Sequence, residues 1–226
     1  MDNLLIYGGT FDPVHLGHVE VLKAVQKFMH FDAIKLIPCK IPLLKDPTQA
    51  PIQARLDMLN LILPEIEHAS IDTIELDRDT PSYTFNTLLE LQKNHAKPTA
   101  CTLLLGEDAF AQLPQWHQWE KLLTVCHILV VERPPALPCT SSSRSTKAPT
   151  PRGLSAGSIG ARHETKNHQD LKTKPHGCLY FFNAGHYPIA STDIRKKLAM
   201  GLNCDDILPK KISAYIKNQH LYQALP

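Results

Sequence analysis

Short runs of apolar residues alternate with longer amphipathic stretches along most of the chain. The runs are rich in Ile, Leu and Val and are mostly continuous, which is typical of parallel strands buried on both faces. We predict strands at Asn3–Tyr7, Ala33–Ile37, Ile71–Ile74, Thr99–Leu105, His127–Val131 and Cys178–Phe182.

Between the predicted strands, apolar residues recur at the spacing of a buried helix face. The first such stretch places Leu16, Val19, Leu22 and Val25 on one face. We predict helices at His15–Met29, Pro51–Leu63, Tyr83–Asn94, Thr192–Met200 and Asp206–Gln219. Alternating strands and helices predict an α/β fold, a Rossmann-like doubly wound parallel sheet with a helical C-terminal end.

One segment interrupts this pattern. Residues 134–160 (PPALPCTSSSRSTKAPTPRGLSAGSIG) are rich in Pro, Ser, Thr and Gly and poor in large apolar side chains. Such a segment buries too little surface to offset the entropy of ordering it. We therefore predict a single domain over residues 1–226, with a polar mobile loop at about 134–160.

The charge of the chain is concentrated around this loop. The formal net charge is +2, but residues 134–177 hold seven basic and two acidic residues, and the rest of the chain has a net charge of −3. A slightly acidic remainder argues against a broad surface for duplex nucleic acid. The loop lacks aromatic residues and amphipathic periodicity, which favours a solvated loop over an RNA- or membrane-binding segment. We expect neither nucleic acid nor a membrane as a partner.

Targeting and cysteine patterns indicate a cytoplasmic protein. No apolar run approaches the roughly 20 residues of a membrane span, and the N-terminus lacks the basic segment of a signal peptide. The six cysteines are scattered and form no C-x-x-C pair, which predicts free thiols in a reducing compartment. The sequence carries no indication of oligomeric state.

The most informative stretch is residues 8–18 (GGTFDPVHLGH), which leaves the first strand and enters the first helix. Gly8 and Gly9 let the backbone approach a bound group, and the helix N-terminus attracts anions. His15 and His18 lie on one face of the first turn. The pattern indicates a polyphosphate site without the Walker A or G-x-G-x-x-G spacing. A metal site on the two histidines is an alternative, although no third ligand is apparent.

This stretch resembles the signature of the H-x-G-H nucleotidyltransferase superfamily. Its doubled Gly and its Phe-Asp-Pro-Val run resemble the nicotinate-nucleotide adenylyltransferase branch. The resemblance extends from Leu4 to Tyr222, except for the polar loop. It implies a nucleotidyltransferase-type fold and adenylyl transfer from ATP to nicotinate mononucleotide, giving deamido-NAD and pyrophosphate in NAD biosynthesis.

The resemblance implies an ATP site at three strand ends, as open α/β sheets bind their ligands. Residues 189–195 (IASTDIR) resemble the family's I-S-S-T-x-I-R, with Ala190 replacing a Ser, and residues 105–108 (LGED) resemble its G-x-D segment. The implied catalytic residues are His15, His18 and Arg195. The implied ATP-binding residues are Gly8, Gly9, Thr10, Phe11, His15, His18, Gly106, Asp108, Ser191, Thr192 and Arg195.

Three other segments imply the mononucleotide site. Residues 81–88 (PSYTFNTL) resemble S-Y-T-x-[DN]-T-L and imply that Tyr83 and Thr84 hold a carboxylate near a helix N-terminus. Residues 113–119 (LPQWHQW) resemble F-x-x-W-x-x-W and imply that Trp116 stacks on the pyridine ring. Residues 37–45 (IPCKIPLLK) resemble a loop that usually ends P-P-H-K. Here Leu43-Leu44 replaces Pro-His, and Lys45 is retained for a phosphate.

The implied reaction needs positioning and charge neutralisation, because the mononucleotide's phosphate is already a nucleophile. We expect Mg²⁺ to arrive with ATP, held by phosphates and waters rather than by dedicated protein ligands. Two alternatives stay open. One is a related transferase using nicotinamide mononucleotide or another phosphate acceptor such as phosphopantetheine. The other is a catalytically inactive nucleotide-binding regulator, which the retained histidines and Arg195 disfavour.

Overall fold

The computed structural model of the chain describes residues 1–44, 46–94, 98–132, 162–185 and 187–223. The loop predicted at 134–160 and the predicted ligand Lys45 lie outside these residues. The described strands and helices are β1 (Asp2–Gly9), α1 (Leu16–Phe28), β2 (Ala33–Pro38), α2 (Ile52–Ile62), β3 (Ala69–Ile71), α3 (Thr84–Asn94), β4 (Thr99–Gly106), α4 (Glu107–Ala111), β5 (His127–Glu132), α5 (Asp170–Thr173), β6 (Leu179–Asn183), α6 (Ser191–Ala199) and α7 (Lys210–Asn218). Short 3-10 turns lie at Leu63–Glu65, Leu113–Gln115 and Trp119–Thr124.

The strands form one six-stranded sheet in the order β3-β2-β1-β4-β5-β6. Every neighbouring pair is parallel, so the predicted doubly wound α/β sheet is confirmed. The strand order reverses between β1 and β4. Connections leave the carboxyl ends of these two strands in opposite directions and open a crevice there, where sheets of this kind bind ligands.

Both faces of the sheet are covered, as the continuous apolar runs predict. Successive side chains of a strand point to opposite faces, and β1 illustrates the consequence. Leu5 packs in one buried cluster with residues of α1, α2, α6 and α7. Leu4 and Ile6 pack in a second cluster with α3 and the segment after β4. The edge where β1 ends therefore lies between two layers of helices.

Among the strands, the third differs most from its prediction, and among the helices the last does, since α7 begins at Lys210 and not at Asp206. The third strand covers Ala69–Ile71 rather than Ile71–Ile74, because polar groups turn the chain after Ile71. The Asp72 carboxylate accepts the main-chain N–H of Ile74 at 3.1 Å, and the Thr73 carbonyl accepts two further N–H groups. Helix α4 was not predicted, since five residues are too few to show a helical period.

Two further observations bear on the environment of the protein. Within the described ranges, every helix is too short or too polar to span a bilayer. The five described cysteines are free thiols, as predicted. Burial raises the pKa of the Cys101 thiol to about 11, so this residue stays protonated and unreactive at neutral pH.

Candidate active site

The turn between β1 and α1 presents two stacked histidines. His15 occupies the N-cap position of α1, and its main-chain N–H donates to Nδ1 of His18 at 3.2 Å. The two rings have centroids 3.8 Å apart and planes tilted by 32°. Because Nδ1 of His18 accepts this hydrogen bond, the neutral imidazole carries its proton on Nε2. His18 therefore provides a side-chain donor beside the main-chain donors of the helix N-terminus.

The surroundings of these rings fix their orientation. His15 is 5% exposed, whereas His18 is only half-buried. The Phe11 ring contacts His18 edge-on at 5.3 Å, and the Tyr7 ring lies 5.9 Å from it. Phe11 itself is buried, so its ring supports His18 from within the core.

Gly17, the glycine of the H-x-G-H motif, allows this packing. A Cβ at this position would lie 3.0 Å from both Cε1 and Nδ1 of His15. It would also lie 3.5 Å from Cβ of Ile189, which precedes α6. Any side chain at position 17 would therefore push against the His15 ring.

The structure joins this turn to the start of α6. The Ser191 hydroxyl donates to the carbonyl of Pro13 at 3.0 Å, across 178 residues. Nη1 of Arg195 donates to the carbonyl of Asp12 at 2.7 Å, across 183 residues. Nη2 of Arg195 makes only a 3.5 Å contact with Thr192 Oγ1. Two helix N-termini and one guanidinium thus converge on residues 12–18.

Two buried charges beneath this turn were not predicted. Asp12 is 1% exposed, and its carboxylate accepts the main-chain N–H groups of Gln49 at 2.8 Å and Ala50 at 3.0 Å. Arg55 is fully buried, and its Nη1 donates to the carbonyls of Thr10 and Cys39, both at 2.8 Å. Burial lowers the pKa of Arg55, and the Asp12 carboxylate opposes this effect. Arg55 therefore ties the ends of β1 and β2 together.

Gly106 and Asp108 lie at the neighbouring strand end. β4 pairs in parallel with β1, so Gly106 shares a sheet edge with Gly8 and Gly9. A Cβ at Gly106 would meet no atom within 4 Å, which leaves room above the strand. Asp108 is exposed in the first turn of α4. The ends of β1 and β4 thus lie at one edge of the sheet, whereas residues 189–190 lie between β6 and α6 and not at a strand end.

On the other side, the start of α3 meets the turn that follows α4. Thr84 is the first residue of α3. The ring stacked on Tyr83 is that of His117, with centroids 4.3 Å apart. His117 was not predicted, because it occupies an unspecified position of the F-x-x-W-x-x-W pattern, between Trp116 and Trp119. Trp116 is partly buried and packs against the second core cluster.

A buried polar network holds α3 in place. The Thr87 hydroxyl donates to Oε1 of Glu75 at 2.8 Å, and Nη1 of Arg78 donates to the same hydroxyl at 3.0 Å. Arg78 also pairs with Glu90. Burial raises the pKa of Glu75, and its hydrogen bond from Thr87 opposes this effect. Lys40 donates to the carbonyl of Arg78 at 2.5 Å, which links this network to the loop after β2.

The chemical character of the site suits phosphate. The groups at the start of α1 and α6 are mostly hydrogen-bond donors: two imidazoles, hydroxyls, a guanidinium and main-chain N–H groups. Among residues 1–44, 46–94, 98–132, 162–185 and 187–223, no three His, Cys, Asp or Glu side chains cluster to hold a metal ion.

Comparisons with known proteins identify the family of the chain. The cytidylyltransferase-like family matches residues 6–197. A probable nicotinate-nucleotide adenylyltransferase of Legionella pneumophila (strain Lens) is 38% identical over 223 residues, covering 99% of this chain and 100% of the relative. One of Yersinia pestis (strain Pestoides F) is 34% identical over 218 residues, covering 96% and 94%.

The fold also matches a solved structure over nearly its whole length. The Plasmodium falciparum nicotinic acid mononucleotide adenylyltransferase complexed with NaAD superposes with a TM-score of 0.70 at 20% identity, covering 98% of both chains. The family match, the two full-length relatives and the site geometry lead to one conclusion. The chain belongs to the cytidylyltransferase-like family and, within it, to the nicotinate-nucleotide adenylyltransferases.

Proposed function

We propose that the protein transfers the adenylyl group of ATP to nicotinate mononucleotide, giving deamido-NAD and pyrophosphate in NAD biosynthesis. The observation that carries the proposal is the convergence of His15, His18 and Arg195 at the N-termini of α1 and α6. The names of the full-length relatives support the same reaction.

The chemical step is a displacement at the α-phosphorus of ATP. A phosphate oxygen of the mononucleotide forms the new P–O bond, and the bond to the pyrophosphate oxygen breaks. That phosphate is ionised at neutral pH, so no strong base is required. Nε2–H of His18 donates to an α-phosphate oxygen, where negative charge must be stabilised. His15 holds His18 through its main-chain N–H and adds a second imidazole to the triphosphate site.

The rest of the triphosphate is bound at the neighbouring turns. Arg195 takes the β- and γ-phosphates, because its planar donor fork fits phosphate oxygens. The hydroxyls of Ser191 and Thr192 lie at the start of the same helix, whose N-terminus favours an anion. The other proposed ATP ligands are the main chain of Gly8, Gly9, Thr10 and Phe11, with Gly106 and Asp108 at the ribose.

The mononucleotide lies on the α3 side of the crevice. The first N–H groups of a helix lack partners within it, and those at the start of α3 suit the nicotinate carboxylate. Tyr83 and Thr84 occupy this position, and the network at Glu75 fixes it. Trp116 stacks on the pyridine ring, and Lys45 meets the phosphate.

Mg²⁺ enters as part of the MgATP substrate. Mg²⁺ prefers oxygen ligands and keeps several of its waters, so phosphate oxygens and water bind it here. It neutralises charge on the leaving pyrophosphate. We also propose a cytoplasmic location, which the five free thiols support because cytosolic thiols are kept reduced.

The direct test is pyrophosphate release from MgATP with three acceptors supplied separately. We expect release with nicotinate mononucleotide, a slower reaction with nicotinamide mononucleotide, which lacks the carboxylate, and none with phosphopantetheine. Faster release with the amide would contradict the acid specificity. No release with any acceptor, together with retained ATP binding, would indicate a nucleotide-binding regulator.

Gly17→Ala tests whether the His15 ring must keep its place. The new Cβ would collide with that ring, and a displacement of about 1 Å near a reacting centre costs up to ~10²-fold in rate. We expect kcat to fall by about 10- to 100-fold while circular dichroism and the thermal midpoint stay close to wild type. A folded variant with a normal kcat would mean that the His15 position is not critical.

A further inference from the structure

The C-terminal segment reaches back to the phosphate-binding turn. After α7, the main-chain N–H of Leu221 donates to the carbonyl of Ile216 at 3.1 Å. This turn buries Tyr222, which is 8% exposed and packs in the first core cluster. The Tyr222 hydroxyl donates to Oδ1 of Asp12 at 2.7 Å, across 210 residues.

Asp12 is the residue that connects Tyr222 to the reacting groups. Tyr222 and Ala50 donate to Oδ1, and Gln49 donates to Oδ2. Nη1 of Arg195 lies 3.8 Å from Oδ2 and donates to the Asp12 carbonyl at 2.7 Å. Both charged ends of this contact are nearly excluded from water, at 12% and 2% side-chain exposure. A shift in the position of the Asp12 carboxylate therefore changes the position of the Arg195 guanidinium directly.

We propose that Tyr222 is a positioning residue for adenylyl transfer, which acts by holding Asp12 in the orientation that places Arg195 at the triphosphate. The proposal rests on the function proposed above. Burial and the negative charge of Asp12 both raise the pKa of Tyr222, so its hydroxyl remains a donor at every pH at which the enzyme works. The hydroxyl acts through Asp12 and does not touch the substrates.

The chain provides a matched control in Tyr215, a half-buried residue of α7 that packs against the first core cluster. The Tyr215 hydroxyl donates to Oδ2 of Asp57 at 2.7 Å, the same distance and the same pair of groups. Asp57 lies on α2 and contacts none of residues 12–18 through its described hydrogen bonds. Tyr215→Phe thus removes a tyrosine–aspartate hydrogen bond of the same length without disturbing Asp12.

The experiment compares Tyr222→Phe and Tyr215→Phe with wild type. Removing a hydrogen bond to a buried charged group changes a binding or rate constant by about ten- to a hundredfold. We expect Tyr222→Phe to lower kcat/KM for ATP by about tenfold or more while KM for the mononucleotide stays within about twofold. Tyr215→Phe should leave both constants unchanged. Equal kinetics for the two variants, or an equal rise in both KM values with Tyr222→Phe, would overturn the proposal.

A double-mutant cycle tests whether Tyr222 acts through Arg195. If it does, Tyr222→Phe has its full effect in the wild-type background and almost none in an Arg195→Ala background. Additive effects would overturn the proposal. Calorimetric binding of a non-hydrolysable ATP analogue gives a readout that needs no turnover. We expect weaker binding by Tyr222→Phe than by Tyr215→Phe. We would expect this difference even if no acceptor released pyrophosphate. The proposed reaction and the proposed role of Tyr222 can therefore be contradicted independently.

Discussion

His18→Ala is expected to lower kcat by about 10²–10³-fold, the usual cost of removing one donor to a developing oxyanion. The geometry makes Nε2 the relevant atom, because Nδ1 of His18 already accepts from the main chain of His15 at 3.2 Å. The amide nitrogen of Gln reaches the position of Nε2, whereas that of Asn reaches the position of Nδ1. His18→Gln should therefore retain more activity than His18→Asn.

Single-turnover rates of pyrophosphate release would measure the effect of these changes on the chemical step. His30→Ala is the matched control, because the His30 side chain is 64% exposed and lies outside the site. It should leave kcat unchanged, and all variants should unfold near the wild-type temperature. An active, folded His18→Ala would show that the α-phosphate is stabilised by another group.

Local pattern was sufficient to predict most of the fold. Five of the six strands fall within one or two residues of their predicted ends, because each is a continuous apolar run next to turn-forming residues. The third strand was misplaced, because Ile74 belongs to a turn whose hydrogen bonds involve the side chain of Asp72. Its apolar character therefore did not mark the end of the strand.

The candidate site was only partly predictable. Motif resemblance indicated candidate ligand-binding residues, and the structure brings four of them, His15, His18, Ser191 and Arg195, together. Motif resemblance did not identify Arg55. The spacing of Arg55 nevertheless places it on the same helix face as Met58, Leu59 and Ile62, which indicates that it is buried. The partnership of Asp12 with Tyr222 spans 210 residues. Pairing across such a distance depends on the tertiary fold and leaves no local pattern.

Arg195→Ala should have the second large effect, a fall of about 10²–10³-fold in kcat/KM for ATP. The guanidinium must bind two partners at the same time, the Asp12 carbonyl and a phosphate of ATP. Nη1 bonds the Asp12 carbonyl at 2.7 Å, while Nη2 has only a 3.5 Å contact with Thr192 and is the nitrogen that can turn to a phosphate with least disruption. A Lys ammonium is a point charge that cannot span both partners.

We therefore expect Arg195→Lys to recover at most about tenfold of the loss, with KM for the mononucleotide little changed in either variant. Lys196→Ala and Lys197→Ala provide the control, since each removes one positive charge from an exposed position of the same helix. If those variants lost as much kcat/KM for ATP as Arg195→Ala, the loss would reflect the total positive charge near the crevice and not the position of Arg195. Full activity in Arg195→Lys would mean that charge alone suffices there, and the bridging geometry between Asp12 and phosphate would not be needed.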